Sequence, residues 1–397
     1  MPPSSERLAV VDALRGFVIL AIMLLHNLEH FDLYHFPSHL PAWMIILDKA
    51  VWEMLFFLFH GKAYAIFAFL FGFTFALQDG RRAAAGEDFR ARFAWRLLLL
   101  LGFGLVNSMF YQGDILAMYA VLGLSLLLVA RLPQRLVLGF ACLLLLQPYA
   151  LVELLRALPA PALTLPDPAS WAYFGRGNAY LMHGSLWEVW SGNLFNGRPA
   201  AILWSWENGR LFQIPALFML GMLACRARFF ADDAAAAARW RRIAFAALLL
   251  FVPLFFAHRT LNGWNGAEGL KRPLVLMLSS WAHLAFAALL VAGFALLHRG
   301  AAGSRMLARL APLGRMSLTS YMMQSLAGTV LYYGFGLGLY ALTGASLSLL
   351  IGIALAVLQI WFSNWWLRRH PQGPLEALWH RATWIGRPAV APLRQPG

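Results

Sequence analysis

Residues 10–28 read Val10-Val11-Asp12-Ala13-Leu14-Arg15-Gly16-Phe17-Val18-Ile19-Leu20-Ala21-Ile22-Met23-Leu24-Leu25-His26-Asn27-Leu28. The run is almost wholly apolar and close to the ~20 residues a helix needs to cross a hydrocarbon core of roughly 30 Å. Nine more such segments follow, over approximately 61–78, 95–111, 114–130, 136–153, 210–225, 242–258, 272–297, 316–337 and 345–367. None shows the period-2 alternation of a barrel strand, and only helices or closed barrels satisfy backbone polar groups in lipid. Composition agrees: 60% of residues are hydrophobic and 13% charged, where a soluble domain carries about 25% charged. The expected fold class is all-α, a polytopic membrane helix bundle of about ten transmembrane helices. The first run contains Arg15 and lacks an A-x-A cleavage site, so it reads as a retained helix and not a signal peptide.

Loop charge sets the expected orientation. Counted alternately, segments on the N-terminal side hold 23 of the 32 Lys+Arg residues, including Arg81, Arg82, Arg90, Arg92 and Arg96. Positive loops stay inside, so both termini are expected in the cytoplasm. The same distribution sets aside a nucleic-acid partner, because the net charge of +14 is spread over short loops and not over one soluble module. The chain divides into a bundle over 1–367 and a cytoplasmic tail over 368–397. Segment 42–60 is apolar but broken by Asp48, Lys49 and Glu53, and is expected to be an interfacial or re-entrant helix. Two outward loops are long. Residues 27–60 carry His30, His35, His39 and His60; residues 154–209 begin with Pro159, Pro161, Pro166 and Pro168 and then hold Trp171, Trp187, Trp190, Trp204 and Trp206. Such tryptophans form an aromatic belt or interfacial helix, or else a surface for stacking sugars or contacting lipid. Cys142 and Cys225 form no metal spacing, and no metal is expected.

The first helix also carries the strongest chemical signal. Arg15 and His26 are eleven residues apart, which places them within roughly 20° of azimuth and about 16 Å apart along the axis. A ligand bridging them needs an anionic end at the inner side and a reactive end deep in the membrane. An acyl-coenzyme A has that shape. Arg15 would hold a phosphate or carbonyl, and His26 would act as general base. The plainer alternatives are a snorkelling Arg15 and an interfacial His26. Asp114, after the Gly113 turn, is either a helix cap or an acid that orients a histidine or acceptor. Lys62 either snorkels or binds an anion. Arg315, Ser317, Tyr321 and Gln324 polarise the start of the ninth segment, with 317, 321 and 324 on one face; they serve helix–helix hydrogen bonding or line a ligand site. His258 and His283 stand alone and read as packing or interfacial residues.

The stretch Asp12-Ala-Leu-Arg15-Gly16-Phe17 resembles the opening of the YeiB-like family of bacterial membrane proteins. Gly61-Lys62-Ala63-Tyr64 with Phe71-Gly72, Gly113-Asp114-Ile115-Leu116, Gly314-Arg315-Met316-Ser317 through Tyr321 with Gln324-Ser325, and Gly373-Pro374-Leu375-Glu376 extend the resemblance over nearly the whole chain. That family is similar in its first helix to the heparan-α-glucosaminide N-acetyltransferases and the acyltransferase-3 proteins. The resemblance implies a bacterial inner-membrane protein, multi-pass, and an acyl transfer across the membrane. Acyltransferase-3 proteins carry an Arg, ten residues, then a His, a spacing matched by Arg15 and His26. YeiB-like proteins commonly have Asn at the second position, so His26 departs toward the catalytic pattern. The heparan-type enzymes place their histidine in the following loop, where His35 or His39 would be the counterparts.

The function expected is a transmembrane acyltransferase moving an acyl, in particular acetyl, group from cytoplasmic acyl-CoA to a hydroxyl or amine of a sugar, lipid or small-molecule acceptor at the outer side. Transfer is either direct or through an acyl-histidine. Arg15, Lys62, Arg315, Ser317, Tyr321 and Gln324 are the donor-binding candidates; His26, His35, His39 and Asp114 are the catalytic ones. Membrane lipid is the surrounding partner, and a homodimer is compatible with the chain. The alternatives are a transporter or exporter with Arg15, His26 and Asp114 lining its pathway, and a non-catalytic sensor.

Overall fold

The computed structural model describes residues 8–37, 39–159 and 165–385, and every regular element among them is helical. Pro161 and the far end of the tail lie outside the described residues. The opening stretch forms α1 (Ala9–Leu28), followed by α2 (Ala42–Phe59), α3 (Ala63–Ala84) and α4 (Arg90–Phe110). Past the Gly113 turn come α5 (Leu116–Leu122), α6 (Leu124–Val129), α7 (Gln134–Leu145) and α8 (Pro148–Ala157). The second long loop of the sequence reading is itself largely helical: α9 (Ala169–His183), α10 (Leu186–Gly192) and α11 (Arg198–Glu207). The chain then runs through α12 (Arg210–Arg226), α13 (Ala234–Asn262) and α14 (Glu268–His298). Short α15 (Ala301–Ala308) and α16 (Ala311–Arg315) precede α17 (Ser317–Tyr332) and α18 (Ala345–Leu367), and the tail folds as α19 (Pro374–Thr383).

Among the described residues six stretches are long and apolar enough to cross a membrane: α1, α2 with α3, α4, α13, α14 and α18. A seventh arises if α7 and α8, bent by 47° at their junction, count together. Every one of the ten apolar segments has a helix, but three fall short of that length. α12 has 17 residues, α17 has 16, and α5 parts from α6 at Gly123. Sixteen residues rise about 24 Å, less than the ~30 Å core. For α17 the shortfall has a local cause, because the turn at 333–337 consumes residues that the apolar segment 316–337 counts as span. Segment 42–60, expected as interfacial or re-entrant, is the helix α2 and runs with α3 into one 43-residue candidate span.

α1 is an inner helix. Leu14, Val18, Ile19, Met23 and Leu28 are fully enclosed, whereas only 6% of the apolar window of α13 is buried, leaving that helix at the periphery. The close approach of α1 to α16 explains two motif glycines. A Cβ on Gly16 would overlap the Leu310 carbonyl, and one on Gly314 would overlap the carbonyl of Asp12. Such small-residue contacts let membrane helices pack backbone to backbone. The start of α1, α16, the start of α17 and α19 gather at one end of the bundle. There Glu376 of α19 accepts hydrogen bonds from the Leu318 and Thr319 amides (2.7 and 3.0 Å) and from the Thr319 hydroxyl (2.6 Å). A carboxylate at a helix start satisfies donors that the helix itself cannot. At the opposite end, Phe31 and Leu33 pack with Leu181, Val189 and Tyr333 into a separate buried cluster under α9 and α10.

Candidate functional site

Two cavities lie along α1, one at each end. The one at the N-terminal end of α1, called inner after the expected orientation, has about 320 Å³ and takes Arg15 from α1, Arg96 from α4, Arg315 and Ser317 from the α16–α17 junction, and Glu376 from α19. Arg15 donates to Asp12 Oδ1 (3.0 Å) and Thr74 Oγ1 (2.9 Å), which fixes its guanidinium against α3. Arg96 stacks on the Trp379 ring at 4.2 Å, and that indole donates to the Arg96 carbonyl (3.1 Å). Arg315 donates to the Pro371 carbonyl (3.3 Å). Three guanidinium groups therefore face one cavity. The carboxylate in its wall, Glu376, already receives three donors at the start of α17. An anionic group fits such a place.

The outer cavity, of about 360 Å³, is lined by His26, Glu29, Asp32, Tyr111, Arg210 and Tyr321 among others. The His26 ring sits 4.7 Å from that of Tyr111 and 6.4 Å from that of Tyr321. Its Nδ1 is buried and meets no hydrogen-bond partner among the described residues. The chain leaving α1 is unusual: His30, Phe31 and Asp32 have successive φ values of 48°, 55° and 69°, and Tyr34 has 44°. Left-handed backbone costs a non-glycine residue about 1–2 kcal/mol, so the surroundings must hold it. The Phe31 amide donates to the His26 carbonyl (2.8 Å), and the Tyr333 hydroxyl donates to the Phe31 carbonyl (2.6 Å). His30 bridges the His35 carbonyl (2.8 Å) and the Ser348 hydroxyl (2.9 Å) while stacking on Tyr332. The strained turn thereby presents Asp32 to the Tyr111 hydroxyl (3.3 Å), beside Glu29 and facing the cavity.

The pKa values of both carboxyls are pushed above the ordinary carboxylate range. Burial, reinforced by the charge of Asp32, raises Glu29 to about 8, and burial raises Asp32 to about 6. Arg210 opposes both shifts, its guanidinium sandwiched between Tyr64 (4.2 Å) and Trp204 (4.1 Å). Trp171 also lines this cavity, and like Trp187 and Trp206 it is exposed. Asp114 stands in the wall with its carboxylate engaged by Asn107 (2.9 Å) and the Ala117 amide (3.0 Å); Arg198 donates to its carbonyl (2.9 Å). The bond to the Ala117 amide satisfies a donor in the first turn of α5. The same two helices wall both cavities. Leu116, Tyr119 and Ser317 face the inner one; Ile115, Met118 and Tyr321 face the outer. The Ile115 amide donates to the Tyr321 hydroxyl (3.3 Å) between them.

The structure thus brings Arg15, Arg315 and Ser317 to the inner cavity and His26, Asp114 and Tyr321 to the outer. Lys62 lines neither cavity: it donates to the Phe57 carbonyl (2.7 Å) and lies near the Phe57 and Phe286 rings. Gln324 links helices, donating to the Ile19 carbonyl (3.2 Å) and to Gln359 (3.0 Å). His35 and His39 are exposed and line neither cavity; His35 is edge-on to Tyr340. Sequence reading missed Arg96, Glu29, Asp32 and Arg210 as site residues. Two had a signal: Glu29 follows His26 at i+3 on the same helix face, and Arg96 opens an apolar run. Asp32 and Arg210 had none.

Fold and site together define a multi-pass helical membrane protein with two polar cavities on its first helix. The model of a family described as a protein of unknown function (DUF418) matches residues 224–386. The chain is 28% identical to the uncharacterized protein YxaH of Bacillus subtilis (strain 168) over 98% of its length and 97% of the relative. It is 28% identical to the uncharacterized protein YeiB of Escherichia coli (strain K12), over 95% of this chain and 96% of that one. An uncharacterized 39.9 kDa protein in the amylase 3′ region of Bacillus acidopullulyticus is 26% identical over 96% of this chain and 94% of its own. These bacterial matches support the YeiB-like resemblance across the whole chain. No solved structure matches it.

Proposed function

We propose that this protein is a transmembrane acyltransferase, taking an acyl group from acyl-CoA at the inner cavity and passing it to a hydroxyl or amine held in the outer one. The observation that carries the reading is the alignment on α1: a guanidinium cluster at Arg15, an unpartnered imidazole nitrogen at His26, and cavity walls shared through α5 and α17. Arg15, Arg96 and Arg315 would hold the donor phosphates. His26 would accept the proton of the acceptor O–H or N–H as that atom attacks the thioester carbonyl. The carbon–sulfur bond then breaks and the proton goes to the departing thiolate, leaving an ester or amide and free coenzyme A.

The topology that serves this reaction has ten crossings, both termini cytoplasmic, in a bacterial inner membrane. It treats α7 with α8, α5 with α6, α12 and α17 as crossings too. α12 and α17 are flanked mainly by protein, which relaxes the need to match the lipid thickness. The test is transfer of label from acetyl-CoA to candidate acceptors by protein in nanodiscs, together with a thermal shift on adding coenzyme A. Failure to bind any acyl-CoA, with His26→Ala behaving as wild type in cells, would overturn the proposal. Substrate flux in proteoliposomes without any acyl donor would favour a transporter instead.

A further inference from the structure

A further cavity, of about 530 Å³, belongs to neither site. It lies between α3, α7, α12, α13 and α14, and its walls are almost wholly apolar, from Ile66, Phe69, Leu138, Leu220, Ala288 and Val291 among others. Polar groups appear at one end alone, where Gln134 and Arg135 open α7. Arg135 is exposed and makes no hydrogen bond or ion pair with any described residue. Arg239 of α13 lies beside the lining: its guanidinium is 5.3 Å from the ring of Phe229, which lines the cavity, and donates to the Arg228 carbonyl (3.1 Å). From Arg135 to Leu145, the far lining residue of α7, the wall rises about 15 Å, half of a ~30 Å hydrocarbon core.

We propose that this cavity binds one anionic glycerophospholipid of the inner leaflet, one of its two acyl chains between α7 and α13 and its phosphate near Arg135 and Arg239. A dry apolar space of this size beside the bilayer takes hydrocarbon and not water. Its length is that of a chain from a single leaflet, and its cations sit at headgroup level, where anionic lipid is attracted. The site is remote from Arg15 and His26 and stands whether or not acyl transfer is the activity.

The experiment offers delipidated protein equimolar dioleoyl phosphatidylglycerol and dioleoyl phosphatidylcholine and reads retained lipid by native mass spectrometry. One phosphatidylglycerol should be retained in preference to phosphatidylcholine by roughly ten-fold. In Arg135→Ala/Arg239→Ala the preference should fall to about two-fold or less while chain binding persists. Ala288→Trp should abolish retention of both lipids, and Ala288→Leu should weaken it, which guards against misfolding of the larger variant. Equal retention of the two lipids by the wild type overturns the proposal. So does wild-type retention by a folded Ala288→Trp, or a lipid-free dimer that Ala288→Trp dissociates.

Discussion

The two cavities on α1 differ in charge more than in size. The inner one gathers three arginines around a carboxylate that is already bonded to the start of α17. The outer one gathers Glu29 and Asp32 beside His26, with Arg210 held between two rings. One helix therefore has an anion-seeking end and a proton-handling end. In the inner cavity Arg15 is anchored by Asp12 and Thr74, and Glu376 by three donors at the start of α17, as a binding site requires. The outer cavity keeps an imidazole nitrogen without a partner and depends on a strained turn, features that belong to chemistry and not to stability. If the contrast is functional, damage at the two ends should have different signatures.

The largest effect is expected at His26. His26→Ala should lower kcat for acyl transfer by about 100-fold or more, as loss of a general base does, while the Kd for coenzyme A stays within about two-fold. Arg15→Ala should do the reverse. Loss of one charge-assisted contact, worth about 1.5–3 kcal/mol, raises the donor Kd by roughly 10- to 100-fold and leaves kcat at saturation nearly unchanged. Both are read by stopped assays over a range of donor concentration, with binding measured separately by calorimetry. Parallel losses in Kd and kcat for both variants would erase the contrast and return α1 to a structural role.

A smaller effect sharpens the outer end. Glu29 titrates near 8 when folded against an ordinary value of 4.5, so between those limits the native state holds a proton that the unfolded chain has released. Stability should therefore fall as pH rises through that window, by up to about 1.4 kcal/mol per pH unit. Melting temperatures of the wild type in detergent, followed from pH 5 to 9, should decline, and Glu29→Gln should flatten the profile. Asp32, near 6, adds to the slope in the lower half of the window alone. A flat wild-type profile would mean that these carboxyls remain solvated.

Much of this was legible beforehand. The helical class and the register of Arg15 and His26 follow from apolar length and 3.6-residue periodicity, while Gly314 and Glu376 stood out only as parts of the motifs that carry the family resemblance. The span lengths did not follow, because turns such as 333–337 hide inside apolar windows. Nor did the outer cavity's acids. Asp32 reaches its place through a left-handed turn made without glycine, which no residue pattern announces, and Arg210 becomes a cavity cation only when Tyr64 and Trp204 close on it. Lys62 and Gln324 looked like ligand groups since an intramembrane polar residue invites that reading; in the fold their donors are taken by backbone carbonyls and Gln359. Local sequence carries helices and their faces, whereas which polar group is left unpartnered is decided by tertiary packing.

The smallest expected effect discriminates among the histidines. His35 and His39 lie in the segment after α1, where a loop histidine would act if the reactive group were not on the helix. Both are exposed, and His35 contributes its carbonyl, not its ring, to the bond with His30. His35→Ala and His39→Ala should therefore change acyl transfer by less than about two-fold, within the ±0.5 kcal/mol usual for surface substitutions. His30→Ala provides the contrast: it keeps His26 but removes the bridge between His35 and Ser348 that holds the left-handed turn. Its loss should lower thermal stability and displace Asp32, with activity falling through geometry and recovering in no exogenous imidazole. Rescue by imidazole of His35→Ala or His39→Ala, but not of His26→Ala, would move the reactive group off α1 and into the loop.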